Sequence, residues 1–412
     1  MSQMKRFLTR RNVLIVLALL FFLIAWNREV NLLYGMFALV SATVIVAVIL
    51  PRFALKGVEA ARVLPAAAFE GEEIEVRITL ENRERRSRFM VEAIDAIPAA
   101  APHEREPLVF AARLPGRTRR DFAYRLACYK RGHYTVGPLR LRSAYPLGIA
   151  WSERQGDQSN LSLLVYPSMF EVASFPLLAA GTYVSSGMET MERANGSDDF
   201  FGTREYRQGD SLRHIHWPST ARHDRLIVKE FEVRASTEMT LILDLHQGSD
   251  AGGERESTLE YAVRIAASLA RFALERGHTV QLTAYGRESA VVPPGRGQHH
   301  LPQVLDTLAR VTADGPFPYH ETITRAATFL RDGSTAVLFL SGNGNLDDFL
   351  HPLGLLQAKR IRPVVISFNR ASFTGEVDFG NTAHDAVAGE LLAQGAPVYL
   401  VAKGDDLSEV FV

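Results

Sequence analysis

Two long apolar runs lie almost back to back and constrain this chain more than any other feature. Val13 to Trp26 is uninterrupted, and Leu32 to Leu50 is broken only by small or weakly polar residues such as Gly35, Ser41 and Thr43. A helix rises about 1.5 Å per residue, so about 20 residues cross the hydrocarbon of a bilayer. The second run meets that length, and the first does so by borrowing Asn12 and Asn27 at its ends. Only Asn27-Arg28-Glu29-Val30-Asn31 separates them, which suits a tight helical hairpin. Lys5, Arg6, Arg10 and Arg11 precede the first run, and Arg52 and Lys56 follow the second. Positive flanks on both sides place both termini, and the soluble bulk of the chain, in the cytoplasm. A cleaved signal peptide would need a small-residue site after its apolar core, and Trp26-Asn27-Arg28-Glu29 fits that poorly. Residues 1–56 are therefore expected to form a transmembrane helical hairpin anchor, with the lipid bilayer as a partner.

The remaining length allows two further domains. The chain has 412 residues, with 46 Lys+Arg against 46 Asp+Glu, a balance that argues against a nucleic-acid partner. The lone Cys128 excludes an internal disulfide framework, a Cys-rich zinc site and a CxxC redox pair.

Over residues 57–170 the period is two. Glu73-Ile74-Glu75-Val76-Arg77-Ile78-Thr79-Leu80 alternates polar and apolar side chains, as a strand with one wet face does. Phe89 to Ile94, Leu108 to Leu114, Asp121 to Cys128 and Gly137 to Leu141 repeat the habit, and short strands between turn signals predict an Ig-like β-sandwich. Over residues 238–412 the pattern changes. Met239 to Leu245 is near-continuously apolar, Ser257 to Arg276 has helical spacing, and Thr279 to Tyr285 returns to strand. Helical patterns near Leu301 to Val311 and Glu321 to Leu330 alternate with apolar strands at Ala336 to Leu340, Pro363 to Ser367 and Pro397 to Val401. Such alternation predicts a mostly parallel sheet covered by helices, so the expected fold class is membrane-anchored α/β. Residues 171–237 serve as a linker and carry the densest chemistry.

That chemistry lies between Phe200 and Phe231, where arginines alternate with acidic residues: Arg204, Glu205, Arg207, Asp210, Arg213, Arg222, Asp224 and Arg225. Guanidinium pairs in bidentate fashion with carboxylate or phosphate. The stretch is either a groove for a partner's anionic group or an internal ion-pair network. Ile215 and Trp217 suit a buried strand face.

The same stretch resembles the signature of a bacterial family, domain of unknown function 58, often called MoxR-associated membrane proteins. Gly202, Arg204, Tyr206, Gly209, Asp210, Arg213, Ile215, Trp217, Thr220, Ala221, Arg222, Leu226, Val228 and Lys229 occupy its fixed positions. Asp199 departs from it where relatives often carry Glu. Arg131-Gly132-His133-Tyr134 with Gly137-Pro138, and Tyr145-Pro146-Leu147-Gly148, resemble the family's upstream segment. The resemblance implies a protein of the bacterial inner membrane with a von Willebrand factor A-like domain at 238–412. It also implies a MoxR-type AAA+ ATPase as partner and an adaptor role in assembly or envelope maintenance. No enzymatic activity comes with it.

Other candidate sites are sparser. A von Willebrand A domain can hold Mg²⁺ on Asp-x-Ser-x-Ser, and here Asp244-Leu245-His246-Gln247-Gly248 keeps only the Asp, with Ser249 and Asp250 just beyond. Asp244 thus marks a degenerate metal site, and no other cofactor is implied. His214 and His216, with His223, could ligate zinc, but no fourth ligand is evident. Cys128 with His133 is a weak nucleophile candidate, and a lone Cys in a strand is usually buried. His299 and His300 fall in a Gly/Pro-rich segment, Pro293 to Pro302, expected to be an exposed loop. No Walker A loop, Gly-x-Ser-x-Gly elbow, His-Glu-x-x-His or Rossmann fingerprint occurs.

The expected function is a cytoplasm-facing adaptor that docks the ATPase or its client, with Arg204, Asp210, Arg213 and Arg222 shaping the surface and Tyr206 and Trp217 supporting it. The alternatives are a membrane-bound hydrolase using Asp210, His214 or His216, and a purely structural envelope scaffold.

Overall fold

A computed structural model of the chain describes residues 10–157, 161–176, 200–206, 215–223, 225–231, 237–341, 346–375, 382–393 and 395–411. The first described elements are α1 (Arg10–Arg28) and α2 (Asn31–Leu55), both long and apolar enough to cross a membrane. The turn between them carries Glu29 at φ 50°. Phe22 and Phe37 meet across the pair with ring centroids 5.1 Å apart, and the small residues Ala18, Ala25 and Ala47 are buried, which lets two helix backbones approach closely.

The period-two region forms β1 (Val58–Val63), β2 (Ala67–Phe69), β3 (Glu73–Asn82), β4 (Arg88–Ile94), β5 (Leu108–Leu114), β6 (Thr118–Ala127), β7 (Gly132–Val136), β8 (Leu139–Ser143), β9 (Ser152–Asp157) and β10 (Leu161–Tyr166). They assemble in the orders β1-β3-β6, β2-β10-β7 and β5-β4-β8-β9. The alternation read in β3 is the alternation observed, with Ile74, Val76, Ile78 and Leu80 all buried. Two apolar clusters result. One gathers Ile74, Val76, Leu126, Cys128, Val136 and Leu163. The other gathers Val58, Ile78, Leu80, Val91, Leu139 and Leu141, and it also takes in Leu55, the last residue of α2.

Next come the hairpin strands β11 (Phe200–Glu205) and β12 (Ile227–Phe231), with α3 (Trp217–His223) between them. The α/β region follows as β13 (Glu238–Ile242), a short ladder of β14 (Gly252–Gly253) and β15 (Glu256–Ser257), α4 (Thr258–Glu275), β16 (Thr279–Tyr285), β17 (Ser289–Arg296), α5 (Leu301–Arg310), α6 (Tyr319–Phe329), β18 (Thr335–Leu340), α7 (Leu346–Ala358), β19 (Arg362–Phe368), α8 (Arg370–Thr374), α9 (Thr382–Ala393), β20 (Val398–Val401) and α10 (Leu407–Val410). Among the described residues the large sheet has the order β17-β16-β13-β18-β19-β20. All its neighbours are parallel except the edge pair β16–β17. β13 and β18 have every residue from Met239 to Ile242 and from Thr335 to Leu340 buried, as strands covered on both faces must.

The segment Pro293 to Pro302 is not the exposed loop its glycines and prolines suggest. β17 continues to Arg296 as an edge strand, where proline is tolerated, and His300 is buried with Nε2 3.0 Å from the carbonyl oxygen of Val280.

The chain divides into two compact units that do not follow contiguous boundaries. Residues 250–267 and 302–313, which lie inside the 238–412 stretch by sequence, belong with residues up to 170. Side-chain bonds explain this. Arg131, buried just before β7, donates to Glu260 of α4 and, at 2.9 and 2.8 Å, to the carbonyls of Leu308 and Val311 at the end of α5. Buried Glu70 accepts from Arg255 at 2.9 Å and from Arg264 at 2.8 Å. The other unit holds residues 171–249, 268–301 and those from 314 onward. Its core includes Ile242, Ile323, Leu338, Leu356, Val365 and Leu391.

Candidate functional site

In an open α/β sheet, ligands meet the chain outside the carboxyl ends of the strands, where the strand order reverses. Here β13 is followed in sequence by β16 on one side, while β18, β19 and β20 continue on the other, so the reversal lies between β13 and β18. Asp244 stands just past the carboxyl end of β13 and Ser341 just past that of β18. The two are joined, with Ser341 Oγ donating to Asp244 Oδ2 at 2.9 Å. Asp244 Oδ1 accepts from the His246 backbone N–H at 3.0 Å, and the buried Ser249 side chain also hydrogen-bonds the carboxylate. Burial is the dominant influence, and it pushes the Asp244 carboxyl above its ordinary range despite these donors.

The loop after β13 is pinned from several sides. Gln247 N–H donates to Gly315 O at 2.8 Å, and Gly315 N–H donates to Leu245 O at 2.7 Å. A Cβ on Gly315 would lie 2.3 Å from Tyr285 O, so only glycine allows this approach. Arg370, the first residue of α8, donates to Ser249 O at 2.8 Å and to Gly248 O at 3.2 Å. Beneath the loop, Tyr319 Oη donates to Ile242 O at 2.5 Å and accepts from Phe339 N–H at 2.8 Å, bridging β13 and β18 where their ladder ends. Burial raises the Tyr319 hydroxyl well above its ordinary value, so it remains a donor at any physiological pH.

The carboxylate is thus held by two hydroxyls and a backbone amide, while the Arg370 guanidinium braces the loop through its carbonyls. Two hydroxyls, Ser249 and Ser341, accompany Asp244, a hard-oxygen set of the kind Mg²⁺ takes. Among the described residues no cluster of three or more His, Cys, Asp and Glu is placed to hold a metal. The spacing motif pointed to Asp244 but missed Tyr319 and Arg370, which follow it by 75 positions or more and come to its loop only through the sheet.

The charged segment is placed in part. β11 pairs with β12 so that Arg204 is opposite Val228 and Thr203 opposite Lys229. Tyr206 N–H donates to Leu226 O at 2.8 Å, extending the hairpin, and its side chain is half-buried. Arg222 is exposed. Arg225 and Glu205 form an exposed ion pair at 2.6 Å, a kind that adds little stability. Gly209, Asp210, Arg213 and His214 lie outside the described residues.

Trp217 is not on a buried strand face. Ile215 makes an isolated bridge to Val228 and is buried, but Trp217 opens α3 and is 65% exposed. Pro218 explains the switch, since its fixed φ and missing N–H suit the first turn of a helix and not a strand interior. His216 is likewise off the strand, with Nδ1 2.7 Å from Ser219 Oγ. Trp217 therefore offers its ring outward and does not support the segment by packing.

Cys128 is fully buried among Ile74, Leu126 and Val136, and burial, with Glu72 nearby, pushes its thiol up to about 11. It is a core residue at neutral pH, and His133 is exposed.

Two helices apolar enough to cross a membrane, a β-rich unit and an α/β sheet with a carboxylate at its reversal point define a sheet-rich α/β protein with an apolar helical pair at its N-terminal side. Residues 202–363 match the family model described as Protein of unknown function DUF58. The chain is also similar to the uncharacterized protein YeaD of Bacillus subtilis, 26% identical over 196 residues, or 48% of this chain and 47% of that one. It therefore spans about half the length of the curated relative it matches. Among solved structures, the CARDB domain of a Pyrococcus furiosus protein matches 26% of this chain and 86% of its own at 7% identity and a TM-score of 0.18. A β-glucosidase from Listeria innocua matches 24% of this chain and 16% of its own, at 15% identity and a TM-score of 0.15.

Proposed function

We propose that the protein is a membrane-anchored adaptor, which holds a MoxR-type AAA+ ATPase or its client at the cytoplasmic face of the bacterial inner membrane. The carrying observation is the closure of Asp244 by Ser341, His246 and Ser249. Acid or base work needs a carboxylate open to a substrate proton. This one is committed to tying two loops together, and His246 and Arg370 stand part-exposed on those loops, where they can meet a partner.

Two further features support the reading. The apolar α1 and α2 with their basic flanks suit an anchor with the rest of the chain on the cytoplasmic side. The sheet order, its antiparallel edge and Asp244 at the reversal point suit a von Willebrand A-like domain, and the paired short strands suit an Ig-like sandwich.

The test is recovery of the tagged full chain from its own cells in mild detergent, with and without ATP, read by mass spectrometry. Nucleotide-sensitive recovery of an AAA+ ATPase, weakened by Arg222→Glu with Trp217→Ala, is the expected result. Recovery of the chain alone after cross-linking would overturn the adaptor reading.

A further inference from the structure

Helix α2 does not leave its apolar run through a linker. Pro51, Ala54 and Leu55 are buried, the helix end packs against β4, β8 and β9, and Leu55 belongs to the β-rich core. From Leu50, the last residue of the apolar run, to Leu55 is about 7.5 Å of helix. The headgroup layer on each side of a bilayer is about 5–8 Å thick. If α2 spans, as proposed above, the end of the β-rich unit from which it emerges rests against the headgroups.

Strand register identifies what lies at that end. β1 starts there at Val58, opposite Asn82 at the end of β3, and Asn82 is opposite Thr118 at the start of β6. β4 starts there at Arg88, opposite Leu114 at the end of β5. Ser143, at the end of β8, is opposite both Val91 of β4 and Ser152 at the start of β9. The turn 83–87, the turn 115–117 and the loop 144–151 therefore all sit beside the exit of α2.

These tips combine apolar and cationic groups. Trp151 is 56% exposed, Leu147 48%, and Phe89 and Met90 36% each. Arg85 and Arg86 are exposed in the turn 83–87, whose single acidic member is Glu84, and Arg52 and Lys56 are exposed on the helix end. Arg83 is taken up by Glu59 at 2.7 Å. The tips are rigid. Buried Asn82 donates through Nδ2 to the carbonyls of Arg86, Leu114 and Pro115 at 2.9, 3.1 and 3.0 Å. The Phe89 and Tyr145 rings stack at 5.4 Å, and the Arg142 guanidinium lies 4.6 Å over Trp151.

Exposed tryptophan and leucine beside arginine, at headgroup height, match what an anionic interface selects. We propose that this end of the β-rich unit is a second membrane contact: Trp151, Leu147, Phe89 and Met90 enter the interfacial layer of an anionic bilayer, and Arg85 and Arg86 meet its phosphates. The anchor then holds the unit in one orientation against the lipid surface.

The chain's three tryptophans allow a direct test. The full chain is reconstituted in bilayers of phosphatidylethanolamine and phosphatidylglycerol, with lipids brominated near the headgroup end of the acyl chain as quenchers. Trp26→Phe with Trp217→Phe leaves Trp151 as the reporter. Trp151→Phe with Trp217→Phe leaves Trp26, which lies in α1. Quenching of both reporters, with Trp151 emission shifted to the blue relative to detergent, is expected. Arg85→Gln with Arg86→Gln should reduce the quenching of Trp151 and leave that of Trp26. Quenched Trp26 with unquenched Trp151 overturns the second contact while the anchor stands. Unquenched Trp26 overturns the anchor reading itself. Quenching of Trp151 that is indifferent to the two arginines overturns their role at the phosphates.

Discussion

Arg131 and Glu260 form a buried ion pair across 129 positions of the chain, each side chain only 3% exposed. Lys130 adds a second cation 3.1 Å from Glu260. Removing one partner of such a pair strands the other charge in a poorly solvated place. Arg131→Met should destabilise the protein by about 3–5 kcal/mol, because it also frees the Leu308 and Val311 carbonyls. Arg131→Met with Glu260→Leu should recover part of the loss. Chemical unfolding of the full chain in detergent, followed by circular dichroism, measures both.

Glu70 gives the same region an acid-sensitive lock. Burial alone would raise its pKa, but hydrogen bonding and charge from Arg264 and then Arg255 outweigh it and hold the carboxyl below its ordinary range. A depressed folded-state pKa means that the unfolded chain binds the proton more readily. The stabilisation is therefore complete above the unfolded pKa and is lost as pH falls through the folded one. Glu70→Gln should be less stable than the parent at neutral pH, and the gap should close in acid. Paired thermal melts across that range check the sign.

Asp244 has the opposite sign. Its pKa is raised, so its contribution is fully present below the unfolded pKa and is lost as pH rises through the folded one. Asp244→Asn keeps the shape and removes the buried charge, so at neutral pH it should match or exceed the parent in stability, and that advantage should fade in acid. Asp244→Ala leaves the His246 amide and the Ser341 hydroxyl without this acceptor and should cost about 1–3 kcal/mol. Melting curves of the three chains at neutral and acidic pH distinguish these outcomes.

Leu55 joins the last turn of α2 to the β-rich core. Leu55→Ala should cost about 2–5 kcal/mol, as truncation of a buried leucine does. Proteolysis within residues 57–170 in reconstituted bilayers should rise with it, while α1 and α2 stay protected.

Cys128, fully buried with its thiol at about 11, should resist maleimide at neutral pH and react to completion once the chain is unfolded in denaturant. The ratio of labelling rates in the two states is the measurement.

Periodicity carried most of the element assignments. Thr279–Tyr285 was legible to the residue because its pattern is decided locally, and β3 and β18 were nearly so. Local pattern failed at Trp217, where Pro218 converted a strand-like stretch into a helix start, and at Pro293 to Arg296, where an edge position made two prolines compatible with a strand. α7 and α9 escaped notice because their apolar positions do not form a clean stripe.

By itself the sequence determined the two apolar helices, the order of a β-rich and an α/β region, and Asp244 as the carboxylate after the first parallel strand. These follow from length, period and spacing, which act between near neighbours. Tertiary structure alone decided that Arg131 and Glu70 bind the first half of α4 and the end of α5, that Ser341 closes on Asp244, and that the tips carrying Arg85, Leu147 and Trp151 surround the end of α2. Each joins residues tens to more than a hundred positions apart, and such contacts arise from strand register and burial, which no local pattern encodes.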